Sequence, residues 1–590
     1  MAITKVTGAM LGNYTGGSAD DTVVVGDGAG DAITSATHNT LVGDNAGTAL
    51  TTGGYNTFIG SGAGVTQTTA ADNVGVGYAA LAVNTSGTNN AAFANNALDS
   101  NTTGSGNTAV GQGSLASNTT ANYNTAVGSS ALTANTTGGE LVAVGRNALA
   151  ANTTGASNTA VGMRALDVNT TGSYNTSVGA DSLGANTTGQ RNAGFAMYSL
   201  LANTTGDYNC AHGMYALAAN TTADYNVAMG YSALATNTTG TANVGIGANS
   251  LYSTTTGSNN TAIGGSALYN NTTATYNTAV GYNCLAANTT GTENTAMGAS
   301  ALDANTTASY NTGIGYSALT GNTTGANNQG FGTYALSANT TGGDNCAIGY
   351  NALGANTTGN TNAVLGFRAQ QSSTTGNNNT SIGNNAGGDV TTGSNNVILG
   401  ANAGHYTTNL TTGVNNTICG SFSYTTTAGA TGVAILGHNV AGAEGYTTIG
   451  YSTDDIRAAH GNITWAVVSD ERVKKDIEDA TVGLAFINDL RPVTFNYKNK
   501  GDLPENFRGY EEGSTEAYKN SKTQHGFIAQ EVKAAIDKHS DIKDGFGMWE
   551  TEDTGQQRVG ETAVVPMLVK AIQELSAEIE ELKNTKCKCQ

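Results

Sequence analysis

The unit NTTGxxNTAVGxxALxA recurs every 17 residues, and this period limits the fold more than any other property of the chain. The asparagine that opens it stands at Asn84, Asn101, Asn118, Asn135 and onward by the same step to Asn356, with Thr254 replacing it once. The glycine after NTAV is stricter still. Of the 23 positions from Gly26 to Gly400, all but Ala94 and Ala196 are Gly. Such a glycine marks a corner where φ is positive or a side chain would clash. The leucine position holds without exception from Leu81 to Leu353, and the residue before the corner glycine is apolar in coil after coil, as at Val127, Phe195, Met229 and Ile246, with His212 falling in the same place.

No 3.6-residue apolar stripe survives these interruptions, so the unit is not a helix. It predicts one coil of a parallel β-solenoid, with NTAV and ALxA as short strands that pair with the same stretches in the coils above and below. At about 4.8 Å between strands, the 23 coils form a rod of roughly 110 Å. A lone coil cannot stand, because ordering its backbone costs far more than burying one Val and one Leu returns. In NTAV the Ala and Val side chains point to opposite faces, yet both are apolar. One set is therefore expected to fill the coil and the other to face another chain, with a parallel trimer the most economical arrangement. Asn and Thr are expected to cap turns and form ladders. Repetition at a turn accounts for the N-x-T triplets without sugar, and two adjacent Thr residues on an extended backbone give no flat ice-binding face. His212, Tyr123, Tyr174, Tyr208 and Tyr225 read as packing residues, and Cys210 and Cys346, at one repeat position, as packed thiols.

The repeat slips by three residues after Gly400, and the composition changes again at Ser469. Lys5 is the only lysine before Lys474, only Glu140, Glu293 and Glu444 precede Ser469, and the three prolines, Pro492, Pro504 and Pro566, all follow it. The domains expected are an attachment or cap segment at 1–15, the repeat shaft at 16–403, an irregular distal β region at 404–468 and a small α+β domain at 469–590. His438, Tyr446, Tyr451, Asp454, Asp455, Arg457, His460 and Trp465 make the distal region rich in distinct side chains, and they are the candidate receptor contacts, unless the region is only a cap. The formal charge of −19 and a shaft poor in Lys and Arg argue against nucleic-acid binding. No run approaches the ~20 apolar residues of a membrane span, and the first residues lack the pattern of a signal peptide. No cofactor or metal is expected. In the final helix Leu568, Ile572, Leu575, Ile579 and Leu582 are spaced 4, 3, 4, 3, a coiled-coil seam.

NTAVGxxAL resembles the head repeats of trimeric autotransporter adhesins, although the period here is longer, and similar repeats occur in phage tail-fibre shafts. SDERVKKDI, LRPVTFNYK and HGFIAQEV, in this order and followed by VVPMLVKAIQELSAEIEELK, resemble the C-terminal intramolecular chaperone of phage endosialidases and tail fibres. The resemblance implies a trimeric chaperone that assembles the upstream β-structured shaft and then cuts itself off through a Ser–Lys dyad. Carried onto this chain, Ser469 is the nucleophile and Lys474 the base. A serine hydroxyl needs such a base, and a lysine serves only when neutral. The scissile bond flanks Ser469. Val468–Ser469 is favoured because hydroxyl attack on that carbonyl passes through a five-membered ring, while the bond on the other side stays open. His525 and Asp470 are possible helpers.

The expected fold is mostly β: a trimeric parallel β-solenoid followed by an α+β chaperone domain that ends in a coiled-coil helix. The expected role is a phage tail-fibre or tail-spike subunit, assembled in the host cytoplasm and carried on the virion. Its partners would be two further copies, a tail or baseplate protein at the N-terminus, and a host-surface glycan or protein receptor. The rival readings are a trimeric bacterial surface adhesin and a glycan-cleaving spike. For the latter Asp454 and Asp455 are the carboxylates to inspect.

Overall fold

The computed structural model describes residues 21–461, 466–467, 474, 476–507, 509–542, 546–551 and 555–587. The expected attachment segment at 1–15 lies outside them. Two compact units emerge, Met1–Val468 and Ser469–Gln590.

The first unit is a β-solenoid. Twenty-four short strands, from Val23–Val25 to Thr417–Cys419, stack in parallel, each bonded to the next. The register repeats the sequence period: Thr125 faces Val142, Ala126 faces Ala143 and Val127 faces Val144. The central residue of each strand points inward, so Ala126 and Ala143 are fully buried, while Val127 stands on the outer face. At the corner that follows, Gly128 has φ 140°, and a Cβ there would lie 2.5 Å from the carbonyl oxygen of Gly145. The next coil passes too close for a side chain in that direction.

The ALxA stretch is a turn and not the predicted second strand. Its leucine adopts the left-handed conformation throughout, with φ from 50° at Leu115 to 56° at Leu81. That conformation is costly for Leu, but it drives the side chain into the coil, where Leu132 and its equivalents are fully buried. The coils still bond to each other here, as when Leu98 N–H donates to the Ser114 carbonyl at 3.0 Å.

Two files of buried asparagine run up the interior. In the first, Asn101 Nδ2 donates to Asn84 Oδ1 at 3.0 Å and to the Gly104 carbonyl at 2.9 Å, and the pattern repeats coil by coil. In the second, Asn124 N–H donates to Asn107 Oδ1 at 3.0 Å while Asn124 Nδ2 reaches the Gly138 carbonyl at 3.0 Å. Gln67 starts the first file and joins the two: its Nε2 donates to Asn56 Oδ1, and its Oε1 accepts from Asn84, both at 2.8 Å. The NTT asparagines therefore face inward. The threonines ladder as expected, Thr102 Oγ1 donating to the Thr119 carbonyl at 2.9 Å. Tyr208 stacks on Tyr225 with ring centres 5.0 Å apart, and His212 packs beside Phe195. Burial raises the thiol pKa of Cys210 and Cys346, and pushes that of the enclosed Cys284 up to about 12.

The interior is filled in two complementary ways. In most of the middle coils the strand contributes Ala, replaced by a smaller or similar residue at Ser177, Gly194, Gly245, Gly313 and Gly330, and the turn contributes Leu. Near the N-terminal end the strand contributes Leu41 or Phe58, and the turn position is Gly47 or Gly64, where a Cβ would come within 2.9 Å of Leu41 Cδ2 or 2.6 Å of Phe58 Cε2. Total volume is kept while its source moves from one wall to the other.

The solenoid does not end at 403 as expected. The three added residues are absorbed at the surface, and Thr417–Cys419 stacks on Val397–Leu399 because Ile398, Leu410, Ile418 and Val433 continue the core. Ala434–His438 and Tyr446–Tyr451 extend the parallel stack, which stops where Asp454–Ala459 folds back antiparallel.

Among its described residues the second unit holds the α-helices α1 (Leu484–Asp489), α2 (Ala529–Asp537) and α3 (Val565–Cys587), and the small antiparallel pairs Val493–Phe495 with Gln524–Gly526 and Trp549–Thr551 with Gln557–Val559. Its core gathers Phe486, Val532, Ile536, Met548 and Val564.

Thr254 interrupts the first asparagine file: Asn237 Oδ1 has no partner, and Asn271 Nδ2 reaches Thr254 Oγ1 only at 3.5 Å. Thr254→Asn restores the rung and is expected to raise the unfolding temperature of the shaft, since a buried acceptor without a partner costs about 1–3 kcal/mol. An unchanged or lower midpoint in a calorimetric scan would contradict this account of the file.

Candidate functional site

Val468, Ser469 and Asp470 lie outside the described residues, as does Trp465. Lys474 is described and is exposed. The surrounding unit can be built from its motifs. LRPVTFNYK and HGFIAQEV form the two strands of one antiparallel pair, with His525 opposite Thr494. His525 is exposed, and its Nδ1 lies 3.4 Å from Thr494 Oγ1, at a shallow cleft that also involves Pro492, Phe527 and Glu561. The same motifs are joined a second time by Arg491, whose guanidinium engages both carboxylate oxygens of Glu531, with Nε at 2.9 Å from Oε2. That hydrogen-bonded pairing holds the Glu531 carboxyl below its ordinary range. An aromatic group the sequence reading passed over, Phe495, Tyr497 and Tyr518, lines a larger cleft of about 820 Å³ in this unit.

The last motif forms α3, which serves two purposes along its length. Near its start Ala571 is buried, Glu574 Oε2 accepts the Leu484 N–H at 2.7 Å, and Gly483 lets α1 approach so closely that a Cβ would sit 2.9 Å from the Ala571 nitrogen. The seam points elsewhere. Leu568, Ile572, Leu575, Ile579 and Leu582 are 40% to 64% exposed. Within one chain, therefore, the seam is not buried against its own domain.

At the distal end of the solenoid the candidate receptor residues separate into two groups. Asp455 and Arg457 form a two-pronged ion pair, with bonds of 3.1 and 2.9 Å, and Arg457 Nη2 also donates to the Ala441 carbonyl at 3.1 Å. The Asp455 side chain is only 4% exposed. These two residues bind the terminal hairpin to the last coil. His438 stacks on Tyr451 at 5.3 Å and meets Phe422 edge-on at 5.7 Å, and Phe422 packs on Tyr406. Tyr446 and Tyr451 remain exposed, as does Asp454, while His460 Nε2 lies 3.4 Å from Thr447 Oγ1. Neighbouring positions on a strand face opposite ways, so Asp454 and Asp455 do not form the facing carboxylates that glycoside hydrolysis requires.

Among the described residues no three His, Cys, Asp or Glu side chains gather as metal ligands, and no helix is long and apolar enough to cross a membrane. Residues 469–541 match the sequence model of the family described as chaperone of endosialidase. No curated protein and no solved structure matches the chain. A chaperone of this class behind a long solenoid of 17-residue repeats fits a structural protein of the phage tail-fibre or tail-spike kind.

Asp455→Ala leaves Arg457 without its carboxylate in a half-buried position. The hairpin 446–459 is expected to exchange its amide hydrogens at least about tenfold faster, the effect of losing one charged hydrogen-bonded pair. Unaltered exchange there would remove the pair from its role as the clasp.

Proposed function

We propose that this chain is a subunit of a homotrimeric phage tail fibre or tail spike that attaches to the host surface and is assembled by its own C-terminal chaperone. The observation that carries this reading is the union of a nearly uniform solenoid with a domain of the endosialidase-chaperone family. Chains staggered by one whole coil would keep almost every contact, so the repeats specify the mutual register of three shafts poorly. A non-repetitive domain with an unsatisfied helical seam supplies that register before the shafts close. A trimer is further supported by the outward file of apolar residues on the strands. Val127, Met229, Ile263, Met297, Ile348, Leu365 and Ile382 are all exposed in the single chain, at one outward strand position of the solenoid, and outward apolar side chains of this kind suit an interaction surface.

Release of the chaperone follows the chemistry of its family. The hydroxyl of Ser469 gives its proton to the Lys474 amine and attacks the Val468 carbonyl carbon. The Ser469 nitrogen leaves with a proton, and water then hydrolyses the resulting ester. The net reaction is hydrolysis of one peptide bond, once per chain. The finished shaft persists through kinetic stability and no longer needs the domain that nucleated it. The N-terminal end joins the tail or baseplate, and the exposed Tyr446, Tyr451 and Asp454 at the other end of the solenoid face the receptor, a surface glycan or protein.

Native mass spectrometry of the purified protein tests stoichiometry and cleavage together. Wild type is expected as a trimer of residues 1–468 with 469–590 released, and Ser469→Ala as an uncleaved trimer. An intact wild-type chain under folding conditions would dismiss the cleavage, and a monomer would dismiss the trimer. Replacing both Ile263 and Met297 by Lys places charge on the outward file and is expected to shift the sedimenting species from trimer toward monomer while circular dichroism stays β-rich. A trimer of undiminished stability would place the chain contacts on another face.

A further inference from the structure

One coil of the shaft breaks the interior pattern in three places at once. Gln370 occupies the leucine position, Ser373 the first asparagine file and Ser381 the inward strand position, and all three are fully buried. Neither amide atom of Gln370 has a hydrogen-bond partner, nor does the hydroxyl of Ser373 or Ser381, nor Asn356 Oδ1 in the coil before. The last follows directly from the ladder. Each asparagine carboxamide reaches down to its predecessor, as Asn356 Nδ2 does to Asn339 Oδ1 at 2.7 Å, but serine is too short to reach Asn356, and Val390 follows in the file. The first asparagine file therefore stops here. Gln370 Cγ and Ser381 Oγ converge over Gly387, each 3.3 Å from where a Cβ would stand. The apolar core divides at the same coil, one cluster ending at Ala369 and the next beginning at Ala386.

We propose that the coil at 370–386 is an internal hydration site, in which ordered water bridges Asn356 Oδ1 to Ser373 and the Gln370 amide to Ser381, and that it divides the shaft into two cooperatively folding segments. Buried water is held where two to four polar groups lie without partners of their own, and this coil with the one before it buries five such atoms. Gln67 provides the internal contrast. It too is a buried glutamine at the edge of an asparagine file, yet its amide bonds directly to Asn56 Oδ1, the Ala70 carbonyl and Asn84 Nδ2. That end is closed by protein alone. In a stack where each coil contacts only its neighbours, stability is a sum of coil-to-coil interfaces, and the weakest interface sets the boundary of cooperative opening. The five atoms face the interior, while Ile382 of the same coil faces out, so the proposal rests neither on the trimer nor on cleavage.

Hydrogen exchange on the full chain, together with a high-resolution crystal structure, tests this. The amides of 370–386 are expected to exchange at least about tenfold faster than those of 336–352. The variant carrying Gln370→Leu, Ser373→Asn and Ser381→Ala, which restores the mid-shaft residues, is expected to abolish the difference. Crystal density is expected to show water within about 3.2 Å of Asn356 Oδ1 and Ser373 Oγ. Equal protection of the two coils in the wild type, or a dry site closed by direct side-chain hydrogen bonds, would overturn the proposal. If the triple variant does not fold, Ser373→Asn alone decides, since it supplies the missing donor to Asn356 and should slow local exchange.

Discussion

The carboxamide of asparagine donates and accepts at opposite ends, and the shaft is built on that property. A buried polar group is tolerable only if it is hydrogen-bonded, and here each Asn satisfies the one before it while fastening its own turn, as Asn152 does through Asn135 Oδ1 and the Gly155 carbonyl. Such a file works only if every coil places its Asn at the same height and angle. The ladder therefore fixes the repeat length more firmly than hydrophobic packing could, because apolar side chains tolerate small displacements and hydrogen bonds do not. Thr254 is accommodated as an isolated short rung. At Ser373 the file ends.

Around this file, packing is a matter of conserved volume. Alanine on the strand is matched by leucine in the turn, and phenylalanine or leucine on the strand by glycine in the turn, so Gly64 and Phe58 occupy together the space that Ala126 and Leu132 fill elsewhere. The outer wall obeys no such rule. At the outward strand position the side chain changes from coil to coil among Val, Ile, Leu, Met and Phe, with His212 and Cys419 as exceptions.

Much of this was legible in the sequence, because a strict period of 17 with a fixed glycine admits few folds. The corner glycines, the inward and outward sides of NTAV and the ladders all follow from spacing. The turn at ALxA was not legible, since propensity gives no reason to place Leu132 at positive φ; burial imposes it. The continuation beyond 403 was masked by three inserted residues that disturb the letter pattern while Ile398, Leu410 and Ile418 keep the interior. For the candidate site, ordered motifs sufficed to find the chaperone family, and the heptad spacing identified a seam that a single chain leaves exposed. The bond between Asp455 and Arg457 was hidden. Both residues read as polar contacts for a receptor, and only their side-by-side placement on one strand face, next to the Ala441 carbonyl, turns them inward as a clasp.

The interior files consist of amides and hydroxyls, groups that neither gain nor lose protons in water. Acid cannot discharge them, alkali cannot ionise them, and dissolved salt cannot screen them, because screening acts on charges and these rungs carry none. A solenoid held by such rungs thus has a set of interior contacts indifferent to the medium around it. Only its two ends and its painted surface are left to sense where it is.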